Sequence, residues 1–256
     1  MRVVPIIVVV LSVMLTSAAR AEKATIAAAA DLKFAMDEIV ASFKTSHPGD
    51  EVIAIYGSSG KLHTQILEGA PYDLFFSADI AFPRMLVKKG LAASEVMPYA
   101  IGRIVLWSTS RDARQMTLAS LADPGIRHIA IANPAHAPYG KRAEEALRAL
   151  NLWDQVEPRL VLGENVTQAA QFVQSGNAEV GIISLSLALN RELASKGGYW
   201  LIPDNLHEPL EQGYVVTKHG ESNALAGAFA KYVSSAPARA VMTKYGFVLP
   251  GEIATK

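Results

Sequence analysis

What most constrains the fold is an alternation, sustained along most of the chain, between short apolar runs and longer amphipathic ones. Residues 24–30 read as a buried strand and 32–43 as a helix, with apolar positions three and four apart. Strands at 51–56 and 73–78 follow, with helices at 61–68, ended by Gly69, and 81–89, closed by Gly90. A second set opens with a strand at 102–108. It continues with strands at 128–132, 160–162 and 179–184, separated by helices at 141–150 and 166–175. After a short helical piece come a strand at 213–217 and a helical stretch from 222 to 244, broken near Pro237.

Strands alternating with helices build mainly parallel sheets with helices on both faces. The expected fold class is therefore α/β, in two lobes. One lobe takes residues 22–100 and the other 101–217. The last helices, within 218–256, are too few to enclose a core and are expected to return to the first lobe. Two strand crossings then form a hinge, with a ligand bound between the lobes at the carboxyl ends of strands.

Residues 1–21 stand outside this pattern. Met1-Arg2 is a positive start, residues 3–15 are an apolar run, and Ala19-Arg20-Ala21 is an A-x-A cleavage site. The run is shorter than the roughly 20 residues that span a bilayer, so it reads as an export signal removed after Ala21. Arg2 and Arg20 leave with it. That takes Lys+Arg from 24 to 22 against 24 Asp+Glu, a formal net charge of −2. Such a balance lacks the basic field of a nucleic-acid or anionic-membrane binder. There is no cysteine, which excludes disulfides, thiolate metal sites, cysteine nucleophiles and a lipid-modified amino-terminal cysteine. An untethered periplasmic protein is expected.

The feature closest to chemistry is a recurring junction, in which a strand ends in small or polar residues and a helix begins at once. It occurs at Ala29-Ala30-Asp31, Gly57-Ser58-Ser59-Gly60, Pro138-Tyr139-Gly140 and Glu164-Asn165-Val166. The first turn of a helix carries unsatisfied N–H groups and about half a positive charge. Several such ends aimed at one point bind an oxyanion with neutral donors alone. At roughly 1.5–3 kcal/mol per hydrogen bond to a charged group, about six or seven donors hold a dianion against the cost of desolvation. Each junction alone is equally an ordinary capped helix, with Asp31, Asn165 and Ser58 or Ser59 as caps. Only the recurrence argues for a site.

Seven stretches carry a family resemblance. They are Ala28-Ala29-Ala30-Asp31-Leu32, Tyr56-Gly57-Ser58-Ser59-Gly60 with Gln65-Ile66, and Gly69-Ala70-Pro71-Tyr72-Asp73-Leu74-Phe75-Phe76-Ser77-Ala78-Asp79. Further along come Ala132-Asn133-Pro134-Ala135-His136-Ala137-Pro138-Tyr139-Gly140, Gly163-Glu164-Asn165-Val166, Gly181-Ile182-Ile183-Ser184 and Lys244-Tyr245-Gly246-Phe247. In this order and spacing, and across nearly the whole mature chain, the sequence resembles the periplasmic molybdate-binding proteins of ABC transporters. The resemblance implies a type II, two-lobed periplasmic-binding-protein fold. It implies a non-enzymatic monomer that captures molybdate or tungstate and passes it to an inner-membrane ABC permease, with no cofactor, no resident metal and no nucleic-acid partner.

That family holds its oxyanion with serine hydroxyls and backbone amides from the helix starts, plus a side-chain hydroxyl after a late strand. Matched to this chain, Ser59 gives a hydroxyl and an amide, with Ser58 beside it, and Tyr139 and Val166 give N–H groups. Ser184 stands where the pattern has a tyrosine hydroxyl, with a shorter reach. Asp31 departs from the pattern, which has a serine there. A carboxylate facing a dianion is costly unless it is turned away or a proton intervenes. Asp31 is therefore expected to offer its backbone N–H, shared with Ala30, while its side chain caps the helix that follows.

Two other readings stay open on the residues themselves. One is a receptor for another tetrahedral oxyanion, such as sulfate or chromate. Phosphate fits least, because near neutrality it carries a proton that needs an acceptor in the site; Asp31 is the one residue that could remove this objection. The other is an exported serine hydrolase using Ser59. Ser58-Ser59-Gly60-Lys61 has the S-x-x-K spacing, but no K-T-G element follows and no base is evident. The six histidines show no metal-binding spacing, and His136 reads as loop packing.

Overall fold

The computed structural model describes residues 21–252, so the export signal expected at 1–21 lies outside the described residues but for Ala21. In the amino-terminal part, strands β1 (Lys23–Ala29), β2 (Glu51–Gly57), β3 (Leu74–Ser77) and β4 (Met97–Gly102) alternate with helices α1 (Lys33–Lys44), α2 (Ser59–Leu67) and α3 (Ala81–Lys88). The central part holds strands β5 (Ile104–Ser108), β6 (Ile129–Ala132), β7 (Leu160–Gly163), β8 (Val180–Ser184) and β9 (Gly198–Leu201). Its helices are α4 (Pro138–Ala149), α5 (Trp153–Val156), α6 (Val166–Gln174), α7 (Leu185–Ala188) and α8 (Arg191–Lys196). Strand β10 (Leu210–Val216) and helices α9 (Ala224–Val233) and α10 (Ala236–Lys244) follow.

Two five-stranded sheets result, ordered β2-β1-β3-β10-β4 and β7-β6-β8-β5-β9. In the first, β1 is parallel to β2 and β3, whereas β10 is antiparallel to β3 and β4. In the second, β6 is parallel to β7 and β8, whereas β5 is antiparallel to β8 and β9. Each sheet is thus mixed, not mainly parallel as the alternation predicts. The antiparallel strands β4, β5, β9 and β10 are those on either side of the two crossings between sheets.

One boundary differs from the sequence expectation. A second lobe running to 217 would take in β10, yet β10 is hydrogen-bonded between β3 and β4 in the first sheet. The return crossing therefore lies between β9 and β10. An apolar run marks a strand as buried without saying which sheet receives it. The sequence also gave no sign of β4 and β9, which form sheet edges and include exposed positions, so their apolar signal is weak.

Residues alternate faces along β1. Ala24, Ile26 and Ala28 join the core that α1, α9 and α10 close with Met36, Ile39, Phe43, Phe229 and Met242. Ala27 points into the opposite core with Leu62, Ile66 and Leu86 of α2 and α3. The second sheet is covered by its own helices around Trp107, Ile131, Leu147 and Val173.

Candidate functional site

Strand register gathers the helix starts. Ala29 pairs with Gly57 at the ends of parallel β1 and β2, so the turns leading to α1 and α2 emerge side by side. Ala132 pairs with Gly163 in β6 and β7, which does the same for the turns leading to α4 and α6. The two pairs face each other across a hollow lined by Ala29, Ala30, Asp31, Gly57, Ser58, Ser59, Ala78, Ala137, Pro138, Tyr139, Asn165 and Val166. It is small, with ≈ 10 Å³ open to the centre of a water-sized sphere. Six of the residues singled out from sequence, namely Ala30, Asp31, Ser58, Ser59, Tyr139 and Val166, share this space. No lysine, arginine or histidine is among its lining residues.

The donors are prepared locally. Asn165 caps α6, its Oδ1 accepting from Thr167 N at 3.0 Å and Gln168 N at 3.1 Å. The Val166 N–H, one position earlier, has no acceptor among the described residues. Helix α4 opens with Pro138, which has no N–H, and Ala137 before it has no side chain to cap with. Tyr139 therefore carries the first backbone donor of that helix. Ser58 precedes α2 but does not cap it, because its Oγ is engaged by His136 Nδ1 at 2.9 Å. Ser59 Oγ accepts from Ala78 N at 3.0 Å, which leaves its own proton to be donated.

Direct bonds join the two sides around the hollow. Gly60 N donates to His136 O at 3.0 Å, Thr167 Oγ1 to Ala30 O at 3.0 Å, and Ser186 Oγ to Asp31 O at 2.7 Å. Lys61 pairs with Glu164 at the rim. Both are about half exposed, so this pair adds at most about 1 kcal/mol. The chain is in a closed arrangement, sealed largely by uncharged groups.

Asp31 corrects one expectation. Its side chain caps neither the short turn at 30–32 nor α1. Instead Oδ2 accepts from Tyr139 OH at 3.0 Å and Gln212 Nε2 at 2.8 Å, deep between the sheets. The two side-chain donors take Oδ2, and the Asp31 and Leu32 backbone N–H groups beside the carboxyl contribute less. Burial pushes the Asp31 carboxyl up to about 6 from an ordinary 3.8, while hydrogen bonds from Gln212 and Tyr139 restrain the rise. Because the folded value is raised, stability is fully present below the unfolded value and is lost as pH climbs through about 6. The ionised carboxyl costs roughly 3 kcal/mol at neutral pH. Asp31→Asn, with imperfect replacement of the two hydrogen bonds, is expected to raise the ligand-free melting temperature by a few degrees at pH 8 and to give no gain at pH 4, as read by thermal unfolding at both pH values.

Ser184 sits at the start of α7. It is fully buried and does not line the hollow. Its Oγ accepts from Leu187 N at 3.3 Å as the cap of α7 and from Ser186 Oγ at 3.0 Å. The hydroxyl that does reach the Asp31 backbone belongs to Ser186, which sequence reasoning missed along with Gln212. The one available signal for Gln212 was an amide directly before the strand expected at 213–217.

Residues 24–248, most of the chain, match the profile of the bacterial extracellular solute-binding proteins. The chain belongs to that family. Among other solute-binding proteins, molybdate-binding protein ModA of Rhodobacter capsulatus is 36% identical over 223 residues, 87% of this chain and 86% of its own. The solved Azotobacter vinelandii periplasmic molybdate-binding protein superimposes with a TM-score of 0.83 at 34% identity, covering 89% of this chain and 99% of that one. The sulfate-binding protein SubI from Mycobacterium tuberculosis, at 18% identity and a TM-score of 0.77, shares the fold. The architecture is the two-lobed periplasmic-binding-protein fold, and a solute-binding role in ABC transport, with a membrane permease as partner, comes with the family.

Proposed function

We propose that this solute-binding protein captures molybdate or tungstate, as the intact oxyanion, in the hollow between its two sheets. The observation carrying this reading is the convergence of helix-start donors on one small, closed space without a single lining cation. Ser59 would give its hydroxyl and amide, Tyr139 and Val166 their N–H groups, and the Ala30–Asp31 turn a further amide, with Ser58 holding the seam. Such donors replace the anion's hydration shell, and their dipoles oppose its charge without a counter-ion. The relatives named for molybdate support the choice of anion. Each sheet with its helices forms one lobe of a periplasmic monomer released after Ala21. Anion binding favours the closed form that the permease recognises.

A tetrahedral anion of another size leaves donors short of their acceptors. Mismatch on that scale costs about 1–3 kcal/mol, or 10–200-fold. Titration calorimetry is expected to give submicromolar binding of molybdate and tungstate with similar affinity, and sulfate at least about tenfold weaker. Equal affinity for all three anions, or none for any, contradicts the reading.

A hydrolase is not supported by the same geometry. The imidazole nearest these serines holds Ser58, not Ser59. Glu164 lies 3.8 Å from His136 Nε2, beyond hydrogen-bond reach, and is paired with Lys61. The arrangement braces the seam.

A further inference from the structure

Asp31 is the one acidic side chain lining the hollow, and it is 1% exposed. Its two oxygens are in different situations. Oδ2 takes both Tyr139 OH and Gln212 Nε2, which are themselves 3.2 Å apart. Oδ1 is buried with no hydrogen-bond partner of ordinary geometry among the described residues, and the Asp31 and Leu32 N–H groups beside the carboxyl favour its charged form less than Gln212 and Tyr139 do. An unpartnered buried acceptor beside a space shaped for an anion is a poor arrangement for two negative groups. It becomes a good one if a proton stands between them.

We propose that Asp31 holds a proton against the bound oxyanion through Oδ1, so that this chain takes up a dianion and one proton together. The inference rests on the oxyanion reading above. The balance is simple: one proton leaves solvent and forms an O–H bond on Asp31 Oδ1, or on the anion oxygen facing it. No other bond is made or broken. Oδ2 already accepts two hydrogen bonds, which leaves Oδ1 as the place for the proton.

The surroundings favour this. The titratable groups facing Asp31 are Tyr139 from α4 and Tyr99 from β4. Burial raises both phenols well above their ordinary value, so both stay neutral donors. Gln212 from β10 is uncharged, and Ser186 from α7 binds the Asp31 carbonyl. On α1, which follows the Asp31 turn, Lys33 pairs with Asp37. Arg103, past β4, donates to Gly246 O, and His136 holds Ser58. The free carboxyl already sits at about 6 because of burial, and a dianion alongside drives it higher. Within that range, proton uptake makes affinity fall as pH rises; below it the carboxyl is already protonated and affinity levels off.

The test is calorimetry of the wild-type protein with sodium molybdate at pH 8, in buffers of different ionisation enthalpy. The expected result is about one proton taken up per anion, with the dissociation constant rising about tenfold between pH 7 and pH 8. Tight binding with no proton exchange and a flat pH profile overturns the proposal while leaving the oxyanion reading intact. Absence of molybdate binding at any pH overturns the oxyanion reading itself. In Asp31→Asn, with folding checked by circular dichroism, uptake is expected to vanish; uptake that persists there contradicts the assignment to Asp31. If that variant does not fold, the wild-type proton count alone decides.

Discussion

In Gly60→Ala, molybdate affinity is expected to fall about 10- to 100-fold while both lobes stay folded. A Cβ at position 60 would lie 2.6 Å from His136 O and 3.1 Å from His136 Cα. Both are backbone atoms of the loop that faces α2 across the seam, so no side chain can swing aside. The added methyl has to wedge the seam open and break the Gly60 N to His136 O bond. What it disturbs first is closure, since the three nearest atoms to that Cβ all belong to His136 on the far side of the seam. Lowering the closed fraction lowers apparent affinity in proportion, and about 1.4–2.8 kcal/mol against closure gives one to two decades. Calorimetry with molybdate, paired with a thermal melt of the ligand-free protein, reads both halves of the expectation. Wild-type affinity in this variant would mean that the seam does not form part of the binding-competent state.

Gly140→Ala acts on the fold instead. A Cβ there would meet Ala132 O at 2.0 Å and Ala132 C at 2.6 Å, at the end of β6 on which the first turn of α4 rests. The helix cannot retreat without uncovering Ala143, Ala146 and Leu147, all fully buried. Overpacking of this kind reaches 3 kcal/mol or more when backbone meets backbone. For a chain of this size that corresponds to a melting temperature lower by roughly 6–12 °C. The same displacement carries the Tyr139 N–H away from the hollow, so anion affinity is expected to fall as well. A melting temperature within about 2 °C of wild type would show that the close approach of α4 to β6 is not what holds the helix in place.

These two glycines illustrate what could be read from the chain and what could not. The junction rule found the helix starts because their signal is local: small residues ending a strand, a serine or asparagine, then an amphipathic run. That was enough to bring Ala30, Asp31, Ser58, Ser59, Tyr139 and Val166 to one place. Nothing local says that Gly60 touches His136 across the seam or that Gly140 abuts Ala132, since those distances come from tertiary packing. Strand β10 was recognisable as a strand but not as a member of the first sheet, because the pairing joins residues more than a hundred positions apart. The side-chain role of Asp31 was misread for the same reason. Its partners Tyr139 and Gln212 are 108 and 181 residues away, while the helix it was expected to cap is adjacent. Ser184 ends β8 and caps α7, whereas Ser186 lies within α7 and reaches the Asp31 carbonyl, a contact 155 residues apart that sequence spacing does not show.

The central claim is that uncharged N–H and O–H groups from opposed helix starts hold a molybdate dianion. A crystal structure of the protein with molybdate, with anomalous scattering recorded at the molybdenum edge, tests it most directly. The account predicts one strong peak between the two sheets, with anion oxygens within about 3 Å of Ser59 Oγ and of the Tyr139 and Val166 backbone nitrogens. A peak seated on surface lysines or arginines, with the hollow lacking molybdenum, would contradict it.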